Sequence, residues 1–122
     1  MRNAILLVDD CKENLENVHE LLELEGYEVM ATTDPQRAYL IALTSYPALI
    51  ISDINMKGMT GLELIHLLRL KKETREIPFI FHTAHSELAM IQLGLQLGAS
   101  DYIIMPSCIS RLYDSIKQTL AT

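Results

Sequence analysis

Five short apolar runs, each followed by a longer stretch with helical spacing, restrict what this chain can fold into more than any other feature. The runs cover residues 4–8, 27–31, 48–52, 78–82 and 102–105. Three are almost wholly apolar, as strands are when helices cover both faces of a sheet. The run at 27–31 is more mixed and suits a position nearer an edge. In the first helical segment Leu15, Val18, Leu21 and Leu22 form one stripe, and Gly26 stands where a helix C-terminal turn needs positive φ. Asp34-Pro35 opens a second helix, aspartate as cap and proline in the first turn. Gly61 precedes a third over residues 62–72, whose basic end suits the helix dipole. Ser86 and Glu87 start a fourth running toward Leu97-Gly98, and Ile109, Leu112, Tyr113, Ile116 and Leu120 give the fifth a clean stripe. Such alternation implies an α/β fold: a parallel sheet with right-handed crossovers and helices on both faces. No proline- or glycine-rich linker interrupts it, so residues 1–122 read as a single domain of ordinary size.

Charge and composition narrow the function classes. The net charge of -6 argues against general nucleic-acid or membrane-surface binding, because both partners are anionic. Hydrophobic residues make up 49%, enough to fill one core and too many for a disordered chain. The two cysteines, Cys11 and Cys108, have no paired-motif spacing and read as free thiols in a reducing compartment. The first apolar run ends at Asp9, shorter than the ~7–15 residues of a secretory core, and nothing approaches the ~18 of a membrane span. These features point to a soluble cytoplasmic protein.

In open parallel sheets, ligands sit beyond the carboxyl ends of the strands, where strand order reverses. Asp9 and Asp10 directly follow the first run and Asp53 the third. Taken singly, each reads as well as a solvated loop aspartate. Together at one sheet edge they repel, and a hard divalent cation with oxygen ligands and retained waters resolves that repulsion.

Four segments carry a specific resemblance: LLVDDC at 6–11, LIISDINMKGMTGLELI at 49–65, FIFHTAH at 79–85 and GASDYIIMP at 98–106. In order and spacing they resemble the receiver domains of response regulators in two-component systems, across essentially the whole chain. The resemblance implies a flavodoxin-like (βα)5 three-layer sandwich with a parallel sheet in the order 2-1-3-4-5. It makes Asp53 the phosphoacceptor, modified by a histidine kinase or phosphotransfer protein or by a small phosphodonor. It makes Asp9, Asp10, Asp53 and the backbone carbonyl of Asn55 the ligands of Mg2+ (or Mn2+). Thr83 then hydrogen-bonds the phosphoryl oxygen, Ala84 leaves room for the phosphoryl group, and Tyr102 is the aromatic that changes exposure on switching. A carboxylate nucleophile, a bridging metal and a reporting hydroxyl suffice for metal-assisted phosphoryl transfer. Such a domain is a signalling switch that catalyses only its own phosphorylation and dephosphorylation, not a turnover enzyme.

One position departs from the family. Its usual lysine before the proline after the fifth strand is here Met105, followed by Pro106. Three carboxylates and a divalent cation carry a formal charge of about -1, and an acyl phosphate on Asp53 takes it to about -2. Methionine neither offsets that charge nor donates to phosphate. Two expectations follow: without the buried cation, at least one carboxylate pKa is raised more than in an ordinary receiver, and the phosphorylated form is less well coupled to Thr83 and Tyr102. Lys57 and Lys12 compete with ordinary solvated lysines as replacement charges, and His85 with an exposed histidine at a helix start. His19, His66 and His82 show no metal spacing.

The fourth helix carries Leu88, Ala89, Met90, Ile91, Leu93, Leu95 and Leu97, more than one core-facing stripe requires. The excess implies an exposed apolar patch, and such patches mark contacts. In the family, the fourth helix, fifth strand and fifth helix form the usual dimer or target surface. No output segment lies within these residues. A second reading, a pseudo-receiver-like interaction module with weak or no phosphorylation, is favoured by Met105. A third, a flavodoxin-type electron carrier, fails because Asp9-Asp10 would repel FMN phosphate and no tryptophan is present to flank a flavin.

Overall fold

The computed structural model describes residues 4–121; residues 1–3 and Thr122 lie outside the described residues. Strands and helices alternate as the sequence implies: β1 (Ala4–Val8), α1 (Lys12–Leu24), β2 (Glu28–Thr32), α2 (Pro35–Ser45), β3 (Leu49–Ser52), α3 (Gly61–Leu70), β4 (Phe79–Thr83), α4 (Leu88–Gln96), β5 (Asp101–Ile104) and α5 (Ile109–Leu120). All pairings are parallel, in the order β2-β1-β3-β4-β5. The mixed run is indeed at the edge: β2 has only Thr32 fully buried, whereas every residue of β1 and β3 is buried.

Period-2 alternation sorts the core into two layers. Leu6, Val8, Ile50, Phe79, Phe81 and Tyr102 pack with α2 and α3. Ile5, Leu7, Ile51, Ile80 and Ile103 pack with Leu15 and Leu22 of α1 and Leu112 and Ile116 of α5. The result is the three-layer, flavodoxin-like arrangement.

Local signals set most boundaries. Asp34 caps α2, its carboxylate accepting from the Gln36 N–H at 3.0 Å, with Pro35 at the first helical position. Gly26, after α1, has φ +97°. The third helix differs from expectation. Gly61 is its first residue rather than the one before it, and Thr60 is the cap. The Thr60 hydroxyl accepts from the Glu63 N–H, while the Glu63 carboxylate accepts from the Thr60 N–H at 2.8 Å. This reciprocal capping box satisfies two otherwise orphaned donors. The helix stops at Leu70, short of the basic pair, and Arg69 is more than a dipole partner. Its guanidinium donates to the carbonyls of Ile77 and Gly98 at 2.9 and 3.1 Å, tying α3 to the starts of β4 and β5. The fourth helix begins at Leu88, after Glu87, with no side-chain cap bond.

Candidate functional site

The switch point between β1 and β3 is where the acidic residues come together. Asp9 continues the β1 alternation and Asp53 that of β3, so both fall toward the α1–α5 layer. Asp9 is buried and accepts the Cys11 N–H at 3.0 Å. The Asp53 N–H donates to the Val8 carbonyl at 3.1 Å, locking the two strand ends together, and Asp53 Oδ1 accepts from the Ile54 N–H at 2.6 Å. Asp10, half-exposed, accepts the Lys57 N–H at 3.0 Å across 47 residues and holds the loop after β3 against the end of β1. Asn55 is exposed in that loop. Gly61 supports it from below: its N–H donates to the Ile54 carbonyl at 2.9 Å, and a Cβ there would run into the Asp53 carbonyl oxygen.

Burial, more than mutual repulsion, dominates the electrostatics. Asp9 is pushed up from 3.8 to about 6, first by desolvation, then by the charges of Asp53 and Asp10, against the pull of the Cys11 N–H. Asp9 is thus one carboxylate of the site with a raised pKa, and burial is its main cause. Among the described residues no three His, Cys, Asp or Glu side chains are drawn up as a ready metal cage.

His82 stands out in a way the sequence did not suggest. Two residues on from Ile80, it faces the α1–α5 layer and lines a void of about 10 Å³ together with Asp9, Ser52, Asp53 and Asn14. It also lines an adjoining cleft of about 410 Å³ with Val18, Leu21, Met105 and Ile109. Burial lowers the His82 pKa, with the Asp53 charge opposing. The Met105–Pro106 peptide is cis.

Thr83 and Tyr102 lie on the other side of the sheet. Thr83 is buried, and its Oγ1 accepts from the His85 N–H at 3.3 Å. Tyr102 is buried beside Phe81, ring centroids 5.7 Å apart, and its hydroxyl donates to the His85 carbonyl at 2.9 Å. Ala84 is exposed at the mouth. His85 is therefore not an exposed helix-start histidine. It is half-buried in the loop before α4, its Nδ1 bonded to Glu87 at 3.0 Å and its Nε2 buried without a partner among the described residues. Its packing depends on β5 folding beside β4, for which the local sequence holds no signal. Lys12 and Lys57 have exposed side chains, as solvated lysines do. No helix of the described residues is long and apolar enough to cross a membrane.

The comparisons with known proteins agree with this architecture. The chain is 34% identical over 117 residues to the phosphate regulon transcriptional regulatory protein PhoB of Pseudomonas aeruginosa, covering 96% of this chain and 51% of that protein. It thus spans about half the length of that relative. It is 31% identical over 120 residues to the polar-differentiation response regulator DivK of Brucella ovis, covering 98% of both. Among solved structures, it superposes on the chemotaxis protein CheY4 of Vibrio cholerae with a TM-score of 0.90 at 28% identity, covering 98% of this chain and 100% of that one. A CheY-like receiver domain protein from Methanospirillum hungatei gives 0.91 at 27%, covering 99% and 95%. The family described as response regulator receiver domain matches residues 5–117. The chain belongs to the response regulator receiver domain family of two-component signalling, whose members are switches rather than classical enzymes and generally bind Mg2+ at the acidic pocket.

Proposed function

We propose that residues 1–122 form one receiver domain whose Asp53 accepts a phosphoryl group with the help of a divalent cation. The observation that carries this reading is the convergence of Asp9, Asp10 and Asp53 at the β1–β3 switch point, with Asp9 buried and its charged form penalised. A buried carboxylate gains most from a cation that pays back its lost hydration. The donor set fits Mg2+ in kind: hard oxygen ligands from Asp9, Asp10, Asp53 and the Asn55 carbonyl, few enough to leave places for water and phosphate. When bound, the cation neutralises charge on the carboxylates and the incoming phosphate oxygens.

The chain's own groups do the rest. The Ile54 N–H holds Asp53 Oδ1 and orients the carboxylate, leaving Oδ2 to attack phosphorus. With a phosphohistidine donor the new O–P bond forms as the P–N bond breaks, and the imidazole leaves with the electron pair. The Thr83 hydroxyl, which accepts from His85 while keeping its own proton, turns that proton to a phosphoryl oxygen. Exposed Ala84 leaves the approach open, and Tyr102 transmits the change through the loop it shares with His85. A histidine kinase or phosphotransfer protein is the natural donor.

The output surface is α4, β5 and α5. Leu88, Leu93, Leu95 and Ile104 are 68%, 43%, 46% and 39% exposed, and this apolar surface supports a contact with a second copy or a target protein. Sedimentation showing a strict monomer, together with no captured partner, would remove this part.

Titrating acetyl phosphate or beryllofluoride with Mg2+ into wild type and Asp53→Ala, followed by NMR, tests the switch. Shifts in wild type alone support Asp53; shifts in both proteins, or in neither, refute it. The second outcome would favour an interaction module that keeps the fold without the chemistry, for which Met105 is the supporting observation.

A further inference from the structure

The acyl phosphate proposed at Asp53 adds negative charge to a site already built from carboxylates, and the chain must answer it with a donor. The residues around the two adjoining cavities on the α1–α5 side narrow the choice. The polar lining of the small void is Asp9, Asn14, Ser52, Asp53 and His82, and the cleft beside it adds Met105. The only ionisable groups in either set are Asp9, Asp53 and His82. Lysine side chains are absent from both linings, Asn14, Ser52 and Ser107 supply only uncharged donors, and the residue directly after β5 is Met105, whose thioether cannot donate.

Strand alternation brings His82 there. On β4, Phe79, Phe81 and Thr83 face the α2–α4 layer, so Ile80 and His82 face α1 and α5, the side on which Asp9 and Asp53 continue β1 and β3. An imidazole at a partly buried sheet position beside apolar neighbours carries a desolvation cost that a leucine or valine would avoid. The void between it and the carboxylates, about 10 Å³, is on the scale of a single water molecule and polar on several sides.

We propose that His82 is a positioning residue for phosphoryl transfer, its ring N–H donating to the phosphoryl group on Asp53, directly or through one water, from the side where Met105 offers nothing. This deepens the phosphoacceptor reading and rests on it. A neutral ring suffices, since neutral imidazole keeps one N–H donor. Hydrogen bonds to charged acceptors are the strong ones, so the contribution is large enough to measure.

The test is beryllofluoride binding in the presence of Mg2+, followed by 1H–15N NMR, in wild type, His82→Leu, His82→Gln, His82→Leu/Met105→Lys and Asp53→Asn. We expect His82→Leu to bind about tenfold more weakly or worse, and His82→Gln, which keeps a donor, to stay within about threefold of wild type. Lysine at 105, lining the same cleft, should restore binding to His82→Leu. In wild type the His82 ring N–H resonance should move on binding as it gains an acceptor, a readout that stands even if His82→Leu does not fold. Equal affinities across the histidine variants, equal losses in His82→Leu and His82→Gln, or an unmoved ring resonance would each overturn the proposal. Binding by Asp53→Asn as tight as wild type, or none by wild type, would overturn the phosphoacceptor reading and this one with it.

Discussion

The Tyr102 hydroxyl donates to the carbonyl oxygen of His85 at 2.9 Å, and the N–H of His85 donates to Thr83 Oγ1 at 3.3 Å. One loop residue therefore joins the hydroxyl at the end of β4 to the aromatic on β5, the strand flanking the exposed leucines of α4. Any movement of Thr83 toward a phosphoryl group must break or drag the first bond, and the second carries the displacement to Tyr102. Replacing Tyr102 with Phe removes the second bond and keeps the ring packed on Phe81. We expect a loss of about 0.5–1.5 kcal/mol in urea unfolding and faster amide exchange confined to residues 83–87. Unchanged exchange there would show that the bond does not restrain the loop.

Gly61 is required by a backbone approach. A Cβ would meet the Asp53 carbonyl oxygen, with the Asp53 carbonyl carbon and Ile54 Cα both at 3.1 Å, and none of these is a flexible side-chain end. Gly61→Ala should cost about 2–4 kcal/mol and weaken Mg2+ binding, because relief comes only by moving the Asp53 loop. Thermal melts with and without Mg2+ measure both. A variant with wild-type stability would mean the loop yields freely.

The raised pKa of Asp9 gives stability a definite sign. Its folded value, about 6, lies above the ordinary 3.8, so the folded state binds this proton more tightly than the unfolded chain does. Asp9 therefore favours folding at low pH, and that advantage fades as pH rises from about 4 to about 6. Above that it costs up to about 3 kcal/mol without metal. Asp9→Asn should be the more stable protein at pH 7 in EDTA, with the difference vanishing near pH 4. Mg2+ should raise the wild-type Tm more at pH 7 than at pH 5 and leave the variant almost unaffected. A pH-independent difference would sink the assignment.

Asp101 titrates the other way. Burial alone would raise it, but hydrogen bonds from Arg111, Ser115 and the Tyr102 N–H outweigh burial and hold it below the usual range. Its stabilisation is present above the unfolded pKa and lost as pH falls through the folded one. Asp101→Asn should lose about 1–3 kcal/mol at pH 7, with the gap to wild type closing toward pH 3. Urea unfolding at several pH values decides it, and a gap constant with pH would place the cost in packing.

Much of this was legible locally. Alternation of apolar runs with helical stripes yielded the βα order, the mixed composition of the second run marked the edge strand, and Asp34-Pro35 and Gly26 marked helix ends correctly. Asp9 and Asp53 fall directly after the first and third runs, and the resemblance makes those two strands neighbours. The capping box of Thr60 and Glu63 is also legible, as a threonine with glutamate three residues on. Each of these signals works within one turn or one strand, where geometry depends only on nearby residues.

What tertiary structure alone decided is how those residues act. The Asp10 bond to the Lys57 N–H closes 47 residues of chain, and the Tyr102 bond to His85 joins β5 to the loop after β4. The elevated pKa of Asp9 arises from water excluded by elements that meet only in the folded molecule, with the nearby carboxylates adding less than burial. His82 reads in sequence as a strand-end histidine without a metal partner. Only when β1, β3 and β4 lie side by side under α1 does it share a void with Asp53, because burial and electrostatic reach depend on three-dimensional neighbours.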